Sequence, residues 1–140
     1  MQNLTLDLTD KAVIEQASNH FYSALNALFV GNDQPMREVW SHANDVVYMG
    51  PDGLYLVGWE KIAQMWSHHA SLKLGGAVKP SDLHLIIGKD ISMITCIEAG
   101  ANEHAGKSES VGIRSSTVFR KENGAWMVIA HQTDLLNFMN

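Results

Sequence analysis

The chain has 140 residues, 46% of them hydrophobic and 18% charged, with a formal net charge of −5. That length fits one globular domain spanning residues 1–140, able to bury roughly two thirds of the surface its unfolded form exposes. Its ten basic residues are scattered singly, which argues against nucleic acid and anionic membrane as partners. No apolar run approaches the ~18 residues of a membrane span, and Met1-Gln2-Asn3 begins no signal peptide. The lone cysteine, Cys96, excludes an internal disulfide and fits a reducing cytoplasm.

Residues 1–9 read as a loose start, with Thr9 or Asp10 placed to cap a helix. From Lys11 to about Val30, apolar residues recur at Val13, Ile14, Ala17, Phe21, Ala24, Leu25 and Leu28, the steps of an amphipathic helix. Gly31-Asn32 stops it. A short helix from Gln34 to Trp40 follows, with Pro35 early, where its missing N–H does no harm. Short strands are expected over 45–49 and 54–57, separated by the turn Gly50-Pro51-Asp52-Gly53. A third helix runs from Trp59 to about Leu72. Longer strands are expected over 82–87, 91–101, 109–120 and 126–133.

The last two of these runs flank Asn123-Gly124, whose residues tolerate the positive φ of a tight hairpin turn. Both strands are apolar or small on both faces, so each face needs a cover. Helices first and long strands afterwards give an α+β fold: three N-terminal helices packed on a strongly curved, mainly antiparallel sheet, forming an open cone. The low surface charge suggests that part of the surface is covered by a second copy of the chain, a homodimer.

Four stretches carry a family resemblance: F-Y-S-A-L-N-A-L-F, then V-W-S-H-A-N-D-V-V-Y-M-G-P-D-G, then V-G-W-E-K-I, and R-S-S-T-V-F-R-K-E-N-G-A-W-M-V-I-A-H-Q-T-D. Together they resemble the SnoaL-like branch of the nuclear-transport-factor-2-like superfamily over about Lys11 to Leu136. The resemblance implies the cone fold and a homodimer formed through the outer face of the sheet. Function does not follow, because this scaffold hosts isomerases, cyclases, hydrolases, dehydratases and kinase association domains. In the ketosteroid isomerases of the superfamily, the positions matching Phe21, Gly50 and Thr117 hold a Tyr donor, a carboxylate base and a protonated Asp donor. None of those groups is present here. Kinase association domains place pocket cations at positions matching Glu98, Thr117 and Thr133, where this chain has an acid and two hydroxyls.

If residues 50 and 117 face into the cone, alternation brings in Tyr48, Ser115 and Phe119. Alternation from Thr133 adds His131, Ile129 and Met127. A strict two-residue turn would set Thr117 opposite Ala130 instead of His131, so a longer loop or a bulge is needed to reconcile the two strands. Glu98 and His131 are the candidate acid–base pair, with a carboxyl pKa expected to be raised by the apolar cone. The competing reading is a buried Glu that only orders the interior. Tyr22, Trp40, Tyr48, Trp66, Ser115, Thr117, Phe119 and Thr133 are the candidate pocket residues. The aromatics among them serve equally as filling between helices and sheet. Arg114 falls on the face opposite Thr117, suited to an ion pair there, while Asp134 can cap the chain or reach the cone. No metal site is expected from the seven histidines, since His68-His69 diverge on a helix and no H-x-H, H-E-x-x-H or C-x-x-C occurs. Nucleotide-cofactor and nucleophile-elbow motifs are missing, so no cofactor is expected. The expected partner is a small hydrophobic or aromatic molecule, bound with or without acid–base catalysis. Alternatively, the chain is an assembly module with a vestigial pocket.

Overall fold

The computed structural model describes residues 2–139, with side chains from Asp10 onward. Helix α1 spans Gln2–Phe29, α2 Gln34–Val39 and α3 Trp59–Leu72. The strands are β1 (Val47–Met49), β2 (Tyr55–Val57), β3 (Ala77–Ile86), β4 (Ile91–His104), β5 (Lys107–Glu122) and β6 (Ala125–Thr133), followed by a 3-10 turn at Asn137–Met139. The sheet order is β2-β1-β6-β5-β4-β3, antiparallel except where β1 runs parallel to β6. This is the expected α+β architecture of three helices on an open sheet. Among the described residues no helix is long and apolar enough to cross a membrane.

Several boundaries differ from expectation. α1 begins at Gln2, so Thr9-Asp10 lies inside the helix and not at its cap; nothing between residues 2 and 10 is a Gly or Pro that would stop it. β3 begins at Ala77, ahead of Pro80. Proline is tolerated there because β3 is an edge strand with no ladder partner on its far side. β1 and β2 are shorter than expected, three residues each.

α1 lays Ile14, Ser18, Phe21, Ala24 and Leu28 on the sheet, all buried, while Val13 is 40% exposed and drops off the stripe. The core joins them to Met36 and Trp40 of the α2 region, Ile62 and Trp66 of α3, and Tyr48, Ile94, Phe119 and Val128 of the sheet. Burying side chains of this size is worth about 1.5–3 kcal/mol each before entropy is counted.

The β5–β6 hairpin turns through Asn123 (φ 52°) and Gly124 (φ 82°), with Glu122 opposite Ala125. That is a two-residue turn. Regular pairing reaches Phe119 opposite Val128; the next pair is Val118 with Ala130, leaving Ile129 as an extra residue. The bulge sets Thr117 opposite His131 and so settles the register conflict. It also overturns the simple alternation along β6. Val128 is buried in the core, not on the uncovered face, and Met127 is only half-buried.

Candidate functional site

Glu98 is on β4, a strand whose residues at 92, 94, 96 and 98 are buried while those between them are half-buried. Its carboxylate lies against α1, where the Tyr22 hydroxyl donates to Oε2 at 2.9 Å. That hydroxyl also lies 3.3 Å from Cys96 Sγ and 3.3 Å from Ser115 Oγ, on the neighbouring strands. From β6, His131 brings Nε2 to within 3.4 Å of Glu98 Oε2, and its Nδ1 lies 2.9 Å from Thr117 Oγ1. The ring packs on Phe21 with centroids 4.6 Å apart. Tyr22, Glu98, Thr117 and His131 are each at most 4% exposed. The result is a buried relay: hydroxyl, carboxylate, imidazole, hydroxyl.

Electrostatics run against the expectation of a raised carboxyl pKa. Burial does push the Glu98 pKa up, but hydrogen bonding and charge from His131, with help from Tyr22 and Ser115, hold it below the usual value. Glu98 is therefore an anion. Burial and the Glu98 charge push the Tyr22 hydroxyl far up, so it remains a proton donor. Burial likewise raises the Cys96 thiol and leaves it unreactive. With Nε2 turned to the Glu98 carboxylate, that nitrogen carries a hydrogen, and Nδ1 pairs with the Thr117 hydroxyl.

A cavity of about 40 Å³ opens beside this relay, bounded by Glu98, His131, Tyr48, Trp66, Thr133 and His69, with Leu25, Leu28, Phe29, Val78, Val111 and Ile113 as apolar wall. Leu136 and Met139 roof it, and the Leu136 N–H donates to Pro51 carbonyl oxygen at 3.0 Å. The sequence-predicted residues thus separate into three groups. Glu98, His131, Tyr48, Trp66 and Thr133 line the cavity. Tyr22, Ser115 and Thr117 stand behind it as hydrogen-bonding supports. Trp40 and Phe119 do not ring the mouth; both are at most 1% exposed and fill the core.

Gly50 has a steric reason. A Cβ at residue 50 would collide with the Tyr48 hydroxyl, so the tyrosine occupies the space in front of that position. Arg114 and Asp134 pair with each other on the surface: Nε and Nη2 donate to the two carboxylate oxygens at 2.9 Å each, and the Arg114 N–H adds a third bond at 3.0 Å. Asp134 therefore ties the chain after β6 to β5 and stays out of the cone.

Sequence reading missed a second carboxylate–imidazole pair. Asp52 Oδ2 lies 2.8 Å from His69 Nε2, both nearly buried. In the sequence Asp52 is legible only as a turn residue and His69 only as one of two adjacent histidines on a helix. The missed signal is a histidine on the buried face of α3, where Ile62, Met65 and Trp66 are otherwise apolar.

The chain belongs to the family described as the SnoaL-like domain, whose model matches residues 14–133. Solved structures with the same fold include a dehydratase candidate of the NTF2-like family from Streptomyces avermitilis, at 17% identity and TM-score 0.78, covering 91% of this chain and 97% of that one. A ketosteroid isomerase candidate from Shewanella frigidimarina matches at 20% identity and TM-score 0.69, covering 85% and 92%. The association domain of C. elegans CaMKII matches at 15% identity and TM-score 0.66, covering 90% and 98%. At these identities the likeness is one of fold. No curated protein matches the chain.

Proposed function

We propose that the cone binds a small, mainly apolar molecule and offers one polar group of that molecule to the Glu98–His131 pair. The observation that carries this reading is that both residues border the cavity while Tyr22 and Thr117 hold them from behind. A pair kept only for structure would be packed over on that side too. Apolar walls with a few fixed polar groups are the usual composition of a small-molecule site. The free space is about 40 Å³, room for about three waters, so a ligand of one ring enters by displacing the Leu136 and Met139 side chains at its edge.

The 3.4 Å approach of His131 to Glu98 favours a second reading, in which the pair exchanges a proton with the ligand. Glu98 is the base in that case, since its carboxylate is ionised and faces the cavity. Phe21, Gly50 and Thr117 do not provide the two acid donors and the base of ketosteroid isomerases, so any catalysis uses a different arrangement.

A thermal-shift titration with p-cresol tests the binding reading, since a ligand specific to the native state raises the melting temperature by mass action. Millimolar p-cresol should raise it for the wild type and raise it less for Glu98→Gln. Equal shifts in the two proteins, or none, would remove the reading.

We also propose that two copies pair through the outer face of the sheet, where Met93, Ile97 and Val118 are half-buried in one chain and Tyr55 and Val57 are exposed. Light scattering should then report twice the 15.5 kDa chain mass. A monomer at micromolar concentration would contradict it. Residues 1–140 would act as one domain in a reducing cytoplasm, in keeping with a single buried cysteine.

A further inference from the structure

We propose that His69, positioned by Asp52, is a second ligand contact at the outer end of the same cavity. The molecule bound there would carry a hydrogen-bonding group at each end of a small apolar body. This inference rests on the cavity being a binding site and adds the class of ligand it takes.

His69 lines the cavity and also the open groove outside it, which places the imidazole at the mouth, whereas His131 packs inward on Phe21. Asp52 fixes the ring. Its Oδ1 accepts the Leu54 N–H at 3.1 Å, closing the turn after β1, and its Oδ2 meets His69 Nε2 at 2.8 Å. The approach is close but is not a hydrogen bond of regular geometry, since Oδ2 has no hydrogen-bond partner among the described residues. With Nε2 engaged by the carboxylate, Nδ1 is the nitrogen left to meet a ligand. Such a carboxylate behind an imidazole sets the tautomer and the orientation of the ring.

A second observation points the same way. One turn before His69 on α3, Trp66 also lines the cavity, and its indole N–H is buried with no acceptor among the described residues. Buried donors are rarely left unpaired, so this one calls for an acceptor atom on a bound molecule. Tyr48 stands between the two pairs, its ring 5.2 Å from Trp66, and both carboxylate charges act on its hydroxyl. Polar groups thus meet the cavity at both ends, and leucine, phenylalanine, valine and isoleucine side chains form the wall between.

Two probes of nearly equal size separate this from a site with one polar end. p-Cresol has a hydroxyl on one side of its ring and a methyl on the other; 4-hydroxybenzyl alcohol has a hydroxyl at both. Affinities are read by NMR titration of the whole protein. An apolar outer end penalises the extra hydroxyl, because burying it unpaired costs free energy. The proposal expects 4-hydroxybenzyl alcohol to bind at least threefold more tightly than p-cresol in the wild type. That preference should be lost in His69→Gln and in Asp52→Asn and kept in Glu98→Gln, with circular dichroism confirming each fold. Binding of both probes with equal or reversed preference overturns the second contact and leaves the binding reading standing. So does an unchanged preference in His69→Gln. Failure of both probes to bind overturns the binding reading, and this inference with it.

Discussion

Thr117 Oγ1 stands 2.9 Å from His131 Nδ1 because β6 carries one extra residue, Ile129, between this pair and the Asn123-Gly124 turn. Without the bulge, the tight turn would oppose Thr117 to Ala130. The bulge re-aims His131 into the cone, where its other nitrogen reaches Glu98. Thr117→Val keeps the shape and removes the hydroxyl, leaving a buried imidazole nitrogen unpaired. It should cost about 1–3 kcal/mol in urea unfolding. A loss below about 0.5 kcal/mol would mean that water replaces the hydroxyl, and that Thr117 does not fix the ring.

Acid should reveal the Glu98 anion. Its folded pKa is lowered, so it binds protons less readily in the fold than in the unfolded chain, where the value is about 4.3. The stability it supplies is therefore present above about pH 4.3 and is lost as pH falls through the lower folded value. Glu98→Gln, which resembles the protonated acid, should melt below the wild type at pH 7, and the gap should close below about pH 4. A gap independent of pH would contradict the ionised assignment.

The turn makes a smaller claim. Gly124 has φ 82°, and a Cβ there meets nothing within 4 Å, so Gly124→Ala suffers only backbone strain. About 1 kcal/mol of destabilisation is expected. A stabilised variant would show that the turn is not the tight one described.

Gly50 and Tyr48 should be coupled, since a methyl at residue 50 would collide with the tyrosine hydroxyl. Gly50→Ala should cost about 1–3 kcal/mol in the wild type, as overpacking does, and clearly less when Tyr48→Leu has removed the ring's far end. Additive losses would place the tyrosine elsewhere.

Much of the fold was legible because periodicity reports burial directly. α3 covers the Trp59–Leu72 range expected of it, and the Asn-Gly turn is where the composition demanded. The inward places of Glu98 and Thr117 came from the family resemblance, and alternation from Thr117 added Ser115; all three are buried. A bulge leaves no comparable trace. Met127 and Val128 are both apolar, so the sequence on either side of Ile129 reads equally well in two registers. The sign of the Glu98 pKa shift was out of reach for a related reason: it depends on three partners from α1, β5 and β6 meeting one carboxylate, and long-range contacts of that kind have no local pattern. The Asp52–His69 pair was hidden in the same way, one member in a turn and the other on a helix.

Glu98, His131 and Trp66 border one cavity, whose proposed role is to take a small molecule. The Trp66 indole N–H gives a resolved NMR signal and has no acceptor among the described residues, so it reports directly on whatever enters. Titrating p-cresol into ¹⁵N-labelled protein should shift that indole signal together with the amides of Leu28, Val111 and Ile113, all saturating at one affinity. Shifts confined to outside surfaces, with the Trp66 indole unmoved at saturation, would contradict the account.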